Sequence, residues 1–551
     1  MQNKRKLRWL LLLIFMVSAA TAQSTGPLLP HLEKRGKAVQ LIVNGKPYLI
    51  LGGELHNSSS SSLAYMQNTW DSLEKAHLNT VLAAVSWELM EPQEGKFDFH
   101  LVDGMIRQAR AHHLHLILLW FGSWKNGEST YAPAWVKHDQ RRFPLVRIRG
   151  GADLDILSPL GTETLRADAT AFARLMGHLK QTDGKEHTVL MVQVENEVGV
   201  LGDSRDRSEL ADKAFSAPVP EQFFHYLEAH KDSLRPHIYQ LWKAGGFKRS
   251  GNWKNVFGAG TATDEIFMAW CYAHFINEVV RAGKAVYPLP MYVNTWIVQP
   301  NDKDPGDYPS GGPQAHMHDV WKAAAPKIDM LCPDIYLAGF AGVCQKYRES
   351  GKGFFIPEAR AGALGAAQAF YAIGAMDAIG YSPFGVDGIT GFSDGPMSAA
   401  YQVLQQLTPL ILTAQQQGQM AAVSLDKSHP VQRIRLGNYI LEVALRHGWD
   451  TSVAASQGYA LMIATAPDTY YVAGNDFQIT FFPASGTKLV GFDQVEEGVF
   501  KEGKWQPGRR LNGDEISNSI RLAAMAAQHK TGKVLRIQDG PGIRKVKVYR
   551  F

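Results

Sequence analysis

Two glutamates stand where their side chains could do chemistry. Glu197 ends the run Val192-Gln193-Val194-Glu195-Asn196-Glu197, and Glu358 ends Phe354-Phe355-Ile356-Pro357-Glu358. Both runs read as apolar strands, and in a parallel barrel the reactive groups project from strand C-termini. Two carboxyls facing each other across such a mouth can cleave a glycosidic bond with retention. One protonates the leaving oxygen while the other attacks the anomeric carbon, at a separation of about 5–5.5 Å. The first must keep its proton and the second must lose it, so their surroundings have to differ. On this reading Glu197 is the acid/base and Glu358 the nucleophile. One strand-end glutamate alone reads more readily as a salt-bridge or capping residue. The pair, with Asn196 adjoining, is what points to glycoside hydrolysis.

The elements that must position this pair can be read along residues 47–415, where short apolar runs alternate with helix-patterned segments. Eight strands are expected, at Tyr48–Leu55, Thr80–Trp87, Leu114–Phe121, Thr188–Val194, Pro290–Trp296, Asp329–Tyr336, Phe354–Pro357 and Gly380–Phe384. Runs as continuous as Leu116-Ile117-Leu118-Leu119-Trp120 suit parallel strands buried on both faces. Helices are expected at Leu63–Ala76, Leu101–His112, Thr162–Lys180, Thr263–Ala282, His316–Ala325 and Ser398–Leu412. Eightfold alternation predicts an α/β fold, a (β/α)8 TIM barrel, with Glu197 on strand four and Glu358 on strand seven. The connection at 200–289 is longer than a crossover needs and is expected to wall the cleft. No Gly-rich phosphate fingerprint follows any strand, which argues against a nucleotide site. From about Gln415 the pattern becomes β alternation, as in Val431-Gln432-Arg433-Ile434-Arg435-Leu436. It predicts a C-terminal β-sandwich over 415–551, after a catalytic barrel over 23–414.

Other residues at strand ends are candidates for substrate contact. Tyr336 ends strand six and either donates to Glu358 or satisfies its hydroxyl in the core. Glu54 and His56 end strand one, Glu88 and Glu91 follow strand two, and Trp296 ends strand five. Lys125 and Asn126 sit on a run rich in aromatics (Trp120, Phe121, Trp124), a composition suited to stacking on a sugar, as are Trp253 and Trp270 in the long connection. The histidines at 112, 113 and 115 and at 316 and 318 have no zincin spacing and read as solvated residues, so no metal and no cofactor is expected.

The block Gln193-Val194-Glu195-Asn196-Glu197-Val198-Gly199 resembles the acid/base motif of glycoside hydrolase family 35, the β-galactosidases, within the clan of retaining (β/α)8-barrel glycosidases. Gly52-Gly53-Glu54-Leu55-His56, Asn79-Thr80-Val81 with Trp87 and Glu91-Pro92, and Pro133-Ala134-Trp135 are similar to further blocks of that family. The resemblance covers about residues 35–415 and implies that Asn196 contacts the sugar 2-hydroxyl. It also implies a retaining, exo-acting β-galactosidase of a bacterial branch with a C-terminal β domain, acting on oligosaccharide galactosides such as xyloglucan side chains. The chain departs from common members at Ala84 (Tyr there), Glu88 (Asn there) and Trp124-Lys125-Asn126-Gly127, where a galactose-contacting Cys-Ala-Glu block is usual. Those departures leave open another retaining clan activity (endo-glucanase, mannanase or arabinosidase) and a non-catalytic carbohydrate-binding barrel.

The N-terminus carries Lys4, Arg5, Lys6 and Arg8, then the apolar run Leu10–Val17 and the small-residue site Ala20-Thr21-Ala22. This is the pattern of a signal peptide over 1–22, predicting export to the periplasm or beyond without an integral membrane span once it is removed. Cleavage removes four basic and no acidic residues, so the formal charge falls from +5 to +1. A nearly neutral chain has no electrostatic basis for binding nucleic acid. Three cysteines cannot build a disulfide framework; Cys332 reads as a buried thiol, with a Cys332–Cys344 bridge left open.

Overall fold

The computed structural model describes residues 28–349, 351–446, 455–485, 489–518, 533–537 and 540–551. The expected signal peptide lies outside the described residues. Eight parallel strands form the barrel: β1 (Ile50–Glu54), β2 (Thr80–Ser86), β3 (His115–Lys125), β4 (Val189–Asn196), β5 (Met291–Trp296), β6 (Met330–Asp334), β7 (Phe355–Ala359) and β8 (Gly380–Pro383). Hydrogen-bonded neighbours run β6-β5-β4-β3-β2-β1-β8-β7. The ring closes where Ile335 pairs with Ala359 and its N–H donates to the Glu358 carbonyl at 2.9 Å. The closing seam therefore lies against Glu358.

The continuous apolar runs are explained by two-sided burial. Leu82, Ile117, Leu119, Met191, Tyr292, Cys332 and Phe355 fill the barrel interior. Their neighbours Val81, Leu116, Leu118, Val192, Val293 and Ile356 pack against the covering layer. Each fully buried aliphatic or aromatic side chain contributes about 1.5–3 kcal/mol, so both faces of the strands add to the barrel's stability. Three antiparallel strands that the sequence pattern does not reveal, His31–Arg35, Ala38–Val43 and Lys46–Tyr48, precede the barrel. Leu41 and Val43 from them pack with Ile50 and plug the barrel's N-terminal end.

The main covering helices are α1 (His100–Ala111), α2 (Thr162–Thr182), α3 (Pro236–Ala244), α4 (Thr261–Val286), α5 (Gly362–Ala375) and α6 (Pro396–Gln417). Two expectations change. The single helix at 63–76 is two short ones, Leu63–Gln67 and Trp70–Lys75, broken at Asn68-Thr69. Helix α5 was not expected, because Gly362-Ala363-Leu364-Gly365-Ala366-Ala367 has no polar stripe to give a helical period. It is buried almost all round, between the barrel and the β region. A Cβ on its Gly374 would stand 2.3 Å from Leu461 and 2.6 Å from Ala422, so only glycine allows this approach.

From Met420 onward the chain forms two antiparallel sheets of six and five strands around Val423, Leu441, Val472, Ile479 and Phe481. The fold is a TIM barrel followed by a C-terminal β domain. Cys271, Cys332 and Cys344 are buried free thiols, so the open Cys332–Cys344 bridge is not formed. Among the described residues, no helix is long and apolar enough to cross a membrane.

Candidate active site

Glu197 follows β4 in a left-handed conformation (φ 48°), Glu195 within β4 shares that conformation (φ 63°), and Gly199 stands at φ 144°. Such positions cost a non-glycine residue on the order of 1 kcal/mol or more and persist only where surrounding contacts impose them. Here the Glu197 N–H donates to Asn294 Oδ1 at 3.0 Å, and the Asn196 carbonyl accepts from the Asn126 N–H at 3.2 Å. The turn aims the Glu197 carboxyl into the mouth, where oxygens of Glu197, Asp334 and Glu358 lie within 4.8 Å of one another.

Three donors converge on Glu358. The Tyr336 hydroxyl donates to Oε2 at 2.8 Å, and Asn294 Nδ2 and Asn196 Nδ2 donate to Oε1 at 3.3 and 3.4 Å. Of the two roles open to Tyr336, the structure shows the bond to Glu358. Glu197 has a different environment. Burial, then the nearby Glu358 charge, push its carboxyl up to about 8, against smaller lowering effects of Lys125 and a hydrogen bond with Asp334. Asp334 and Glu54 are also raised well above the carboxylate range, burial first and Glu358 second. Asp334 accepts from Asn294 Nδ2 at 2.7 Å, while its Oδ1 lacks an ordinary donor.

Asp334 and Asn294 are functional residues not expected from the sequence. Asp334 ends β6 and Asn294 lies two residues before the end of the neighbouring β5; the available signal for Asp334 was the strand-end rule, which also singles out Tyr336 two residues later. Glu54 is fully buried, and both its oxygens lack partners. Lys125 is buried beside Asn196, across a β3–β4 register shift, with its ammonium bonded to Asn126. Trp296 is half-buried and pairs in register with Asp334.

Other candidates lie outside this group. His56 is at the rim, its Nδ1 2.9 Å from Asp387. Glu88 pairs with Lys137 at 3.5 Å and lines a separate cavity of about 460 Å³ with Ser86 and Tyr131. Glu91 is a turn anchor that accepts from Trp87 Nε1 and the Gly95 N–H. The aromatic run is no stacking surface: Trp120, Phe121 and Trp124 are fully buried, because β3 continues to Lys125 and turns them into the core. Trp253 is likewise buried among Phe223, Phe257 and Phe267, and Trp270 packs on the same cluster. His318 is buried against Glu349, and His316 is paired with Glu265 rather than solvated.

A second carboxyl pair lies behind the same strand end. Glu195 and Asp168 are fully buried, raised by burial, and hydrogen-bonded to each other. Asp168 also accepts from Trp120 Nε1 (2.9 Å), the Ser123 N–H (3.1 Å) and Ser123 Oγ (2.5 Å), and Glu195 accepts from the Trp124 N–H (2.7 Å). Gly122 is required here, since a Cβ would lie 2.6 Å from Glu195 Oε1 and 2.4 Å from Trp120 Nε1.

Fold and mouth together define a glycoside-hydrolase-type (β/α)8 barrel. Residues 59–236 match the glycoside hydrolase family 42 model, described as β-galactosidase, and residues 397–523 match a domain of unknown function, DUF5597. The first match corrects the family-35 resemblance: the family it supports is 42. The Asn-Glu block that carried the resemblance belongs to the clan as a whole and does not separate its families. A β-galactosidase of Xanthomonas manihotis is 29% identical over 209 residues, 37% of this chain and 32% of that protein, so the chain spans about a third of that relative's length. Among solved structures, the β-galactosidase of Bacillus circulans sp. alkalophilus aligns at a TM-score of 0.46 and 15% identity, over 66% of this chain and 57% of its own. The catalytic domain of a β-amylase from Paenibacillus polymyxa aligns at 0.43 and 12%, over 64% and 98%.

Proposed function

We propose that this chain is a retaining β-galactosidase acting on terminal β-galactosides, with Glu197 as acid/base and Glu358 as nucleophile. The observation that carries the reading is the close pair itself: carboxyl oxygens within 4.8 Å, one carboxyl holding its proton to about 8, the other receiving three donors. Inverting hydrolysis needs carboxyls about 6.5–9.5 Å apart to admit a water, so the short separation favours double displacement.

In the first step a Glu358 oxygen bonds to the anomeric carbon as the glycosidic C–O bond breaks, and the Glu197 proton passes to the leaving oxygen. In the second, Glu197 takes a proton from water, the water oxygen bonds to the anomeric carbon, and the ester to Glu358 breaks. Asn196 is assigned to the sugar 2-hydroxyl. Glu54, whose buried oxygens lack partners, is assigned to other hydroxyls, with Lys125, Asn126 and Trp296 bordering the same subsite. His56 and Glu88 are left at its rim.

Galactose as the sugar rests on the description of the family-42 model and the name of the Xanthomonas relative. Hydrolysis of a nitrophenyl glycoside panel tests it, with xyloglucan oligosaccharides as polymer-derived substrates; activity confined to another sugar would refute it. A 2-fluoro-galactosyl inactivator should label Glu358, and a label on another residue would overturn the nucleophile assignment. Export is proposed from the signal-peptide pattern, and a mature N-terminus near Gln23 on intact-mass analysis is the expected outcome. The division at 414/415 into catalytic barrel and β domain is proposed on the change of pattern there.

A further inference from the structure

A second group of potential ligands lies in the long connection between β4 and β5. His237 opens α3, Glu265 lies in the first turns of α4, and His316 is on the loop after β5. One ligand atom from each falls within 4.8 Å of the others. Glu265 is 1% exposed, and its Oε2 takes hydrogen bonds from His316 Nε2 (2.9 Å) and the Tyr308 hydroxyl (3.2 Å). These contacts leave two buried atoms unaccounted for, Glu265 Oε1 and His237 Nε2, which have no partner. A histidine–glutamate hydrogen bond explains half of the arrangement and leaves the other half costly, since a buried polar atom without a partner costs about 1–3 kcal/mol.

We propose that His237, Glu265 and His316 form a zinc site that ties the β4–β5 connection to the loop after β5. Two imidazole nitrogens and one carboxylate oxygen are a donor set suited to tetrahedral zinc with a fourth, open position. A cavity of about 340 Å³ is lined by both histidines with Gln314 and Val298 and has room for a bound water. Donors in such a site stand about 3.3 Å apart, and here His316 Nε2 and Glu265 Oε2 are 2.9 Å apart with all three ligand atoms within 4.8 Å. Binding displaces the His316 Nε2 proton to solvent, and the Tyr308 hydroxyl orients the carboxylate. Gln314, two residues before His316, accepts from the Val298 N–H (3.1 Å) and donates to the Trp296 carbonyl (2.6 Å). The site would therefore brace the strand that carries Asn294 and Trp296 to the mouth.

The test uses the full-length chain, stripped with chelator and titrated with zinc chloride by calorimetry, with metal content by mass spectrometry and cobalt(II) absorption as the coordination readout. One zinc per chain and a tetrahedral cobalt spectrum are expected. His316→Ala should weaken zinc binding by about 100-fold or more. Glu265→Gln, which keeps hydrogen bonds to His316 and Tyr308, should do the same with unchanged circular dichroism. Glu197→Gln should leave the stoichiometry at one, separating this site from the mouth carboxyls. Zinc binding no tighter in the native chain than in the His237→Ala/His316→Ala double variant would overturn the proposal, leaving a hydrogen-bonded pair only. Aryl-galactoside turnover is a separate readout, so loss of either reading is distinguishable from loss of the other.

Discussion

Glu195 and Glu197 sit two residues apart at one strand end, both in left-handed conformations and both with carboxyls raised by burial. Glu195 lies against Asp168 in a sealed pocket, where Trp120 and Ser123 donate to Asp168 and the Trp124 N–H donates to Glu195 Oε2. Glu197 opens into a mouth with Glu54, Asp334 and Glu358, where oxygens of Glu54 and Asp334 await donors. Both environments perturb acidity, so a shifted carboxyl does not by itself mark chemistry. Access does: Glu197 and Glu358 keep 8% and 6% of their surface exposed, while Glu195 and Asp168 keep none. The inner pair braces the turn that presents the outer one.

That division of labour can be broken from either side. Removing the outer nucleophile should have the largest effect: Glu358→Ala should lower kcat by on the order of 10^4-fold, with azide restoring turnover as a glycosyl azide and the melting curve little changed. Glu197→Gln should lower kcat/KM by about 10^2–10^4-fold for poor leaving groups and much less for activated aryl galactosides.

The same variant also tests the pH linkage. Because the native carboxyl holds its proton to about 8 against an ordinary 4.5, the folded chain binds a proton that the unfolded chain releases across that window. Native stability should therefore fall as pH rises from 4.5 to 8, and Glu197→Gln should flatten that slope in urea titrations. Turnover of the native chain should likewise fall as pH passes about 8, when the acid is lost.

On the inner side, Asp168→Ala leaves buried donors unpaired and should cost about 3 kcal/mol of unfolding free energy. If it instead left stability intact and abolished turnover, the bracing role would be wrong. Tyr336→Phe removes one donor from Glu358 and should reduce kcat/KM by roughly 10–100-fold. The smallest expected change is from Lys125→Met. Lys125 lowers the Glu197 value, so its loss should move the alkaline limb of kcat/KM upward, by about one pH unit or less.

The barrel was legible because each of its strands is a short apolar run buried on both faces, and such runs leave a local mark. Seven of the eight lie within two residues of where hydrophobicity puts them at both ends; the exception is β3, which runs on to Lys125. Helix α5 left no such mark because it has no polar face, and two of the three N-terminal strands, His31–Arg35 and Lys46–Tyr48, are largely polar. Asn196-Glu197 and Glu358 could be read from type and strand position, with Tyr336 as a candidate neighbour.

What only the tertiary structure decided is which polar residues share a space. Asp334 and Asn294 enter the mouth because β5 lies beside β4 and β6 beside β5, and Glu195 is excluded because the left-handed backbone at Glu195 and Glu197 parts two carboxyls that strand alternation would put on one face. Trp120, Trp124 and Trp253 are buried in the core, despite a composition that suited a sugar platform. His237, Glu265 and His316 stand 79 residues apart end to end in the chain, and no local spacing rule can bring them together. Periodicity and strand-end position are local properties carried by consecutive residues. Burial, shared protons and ligand sets are sums over distant segments, and those exist only once the chain has folded.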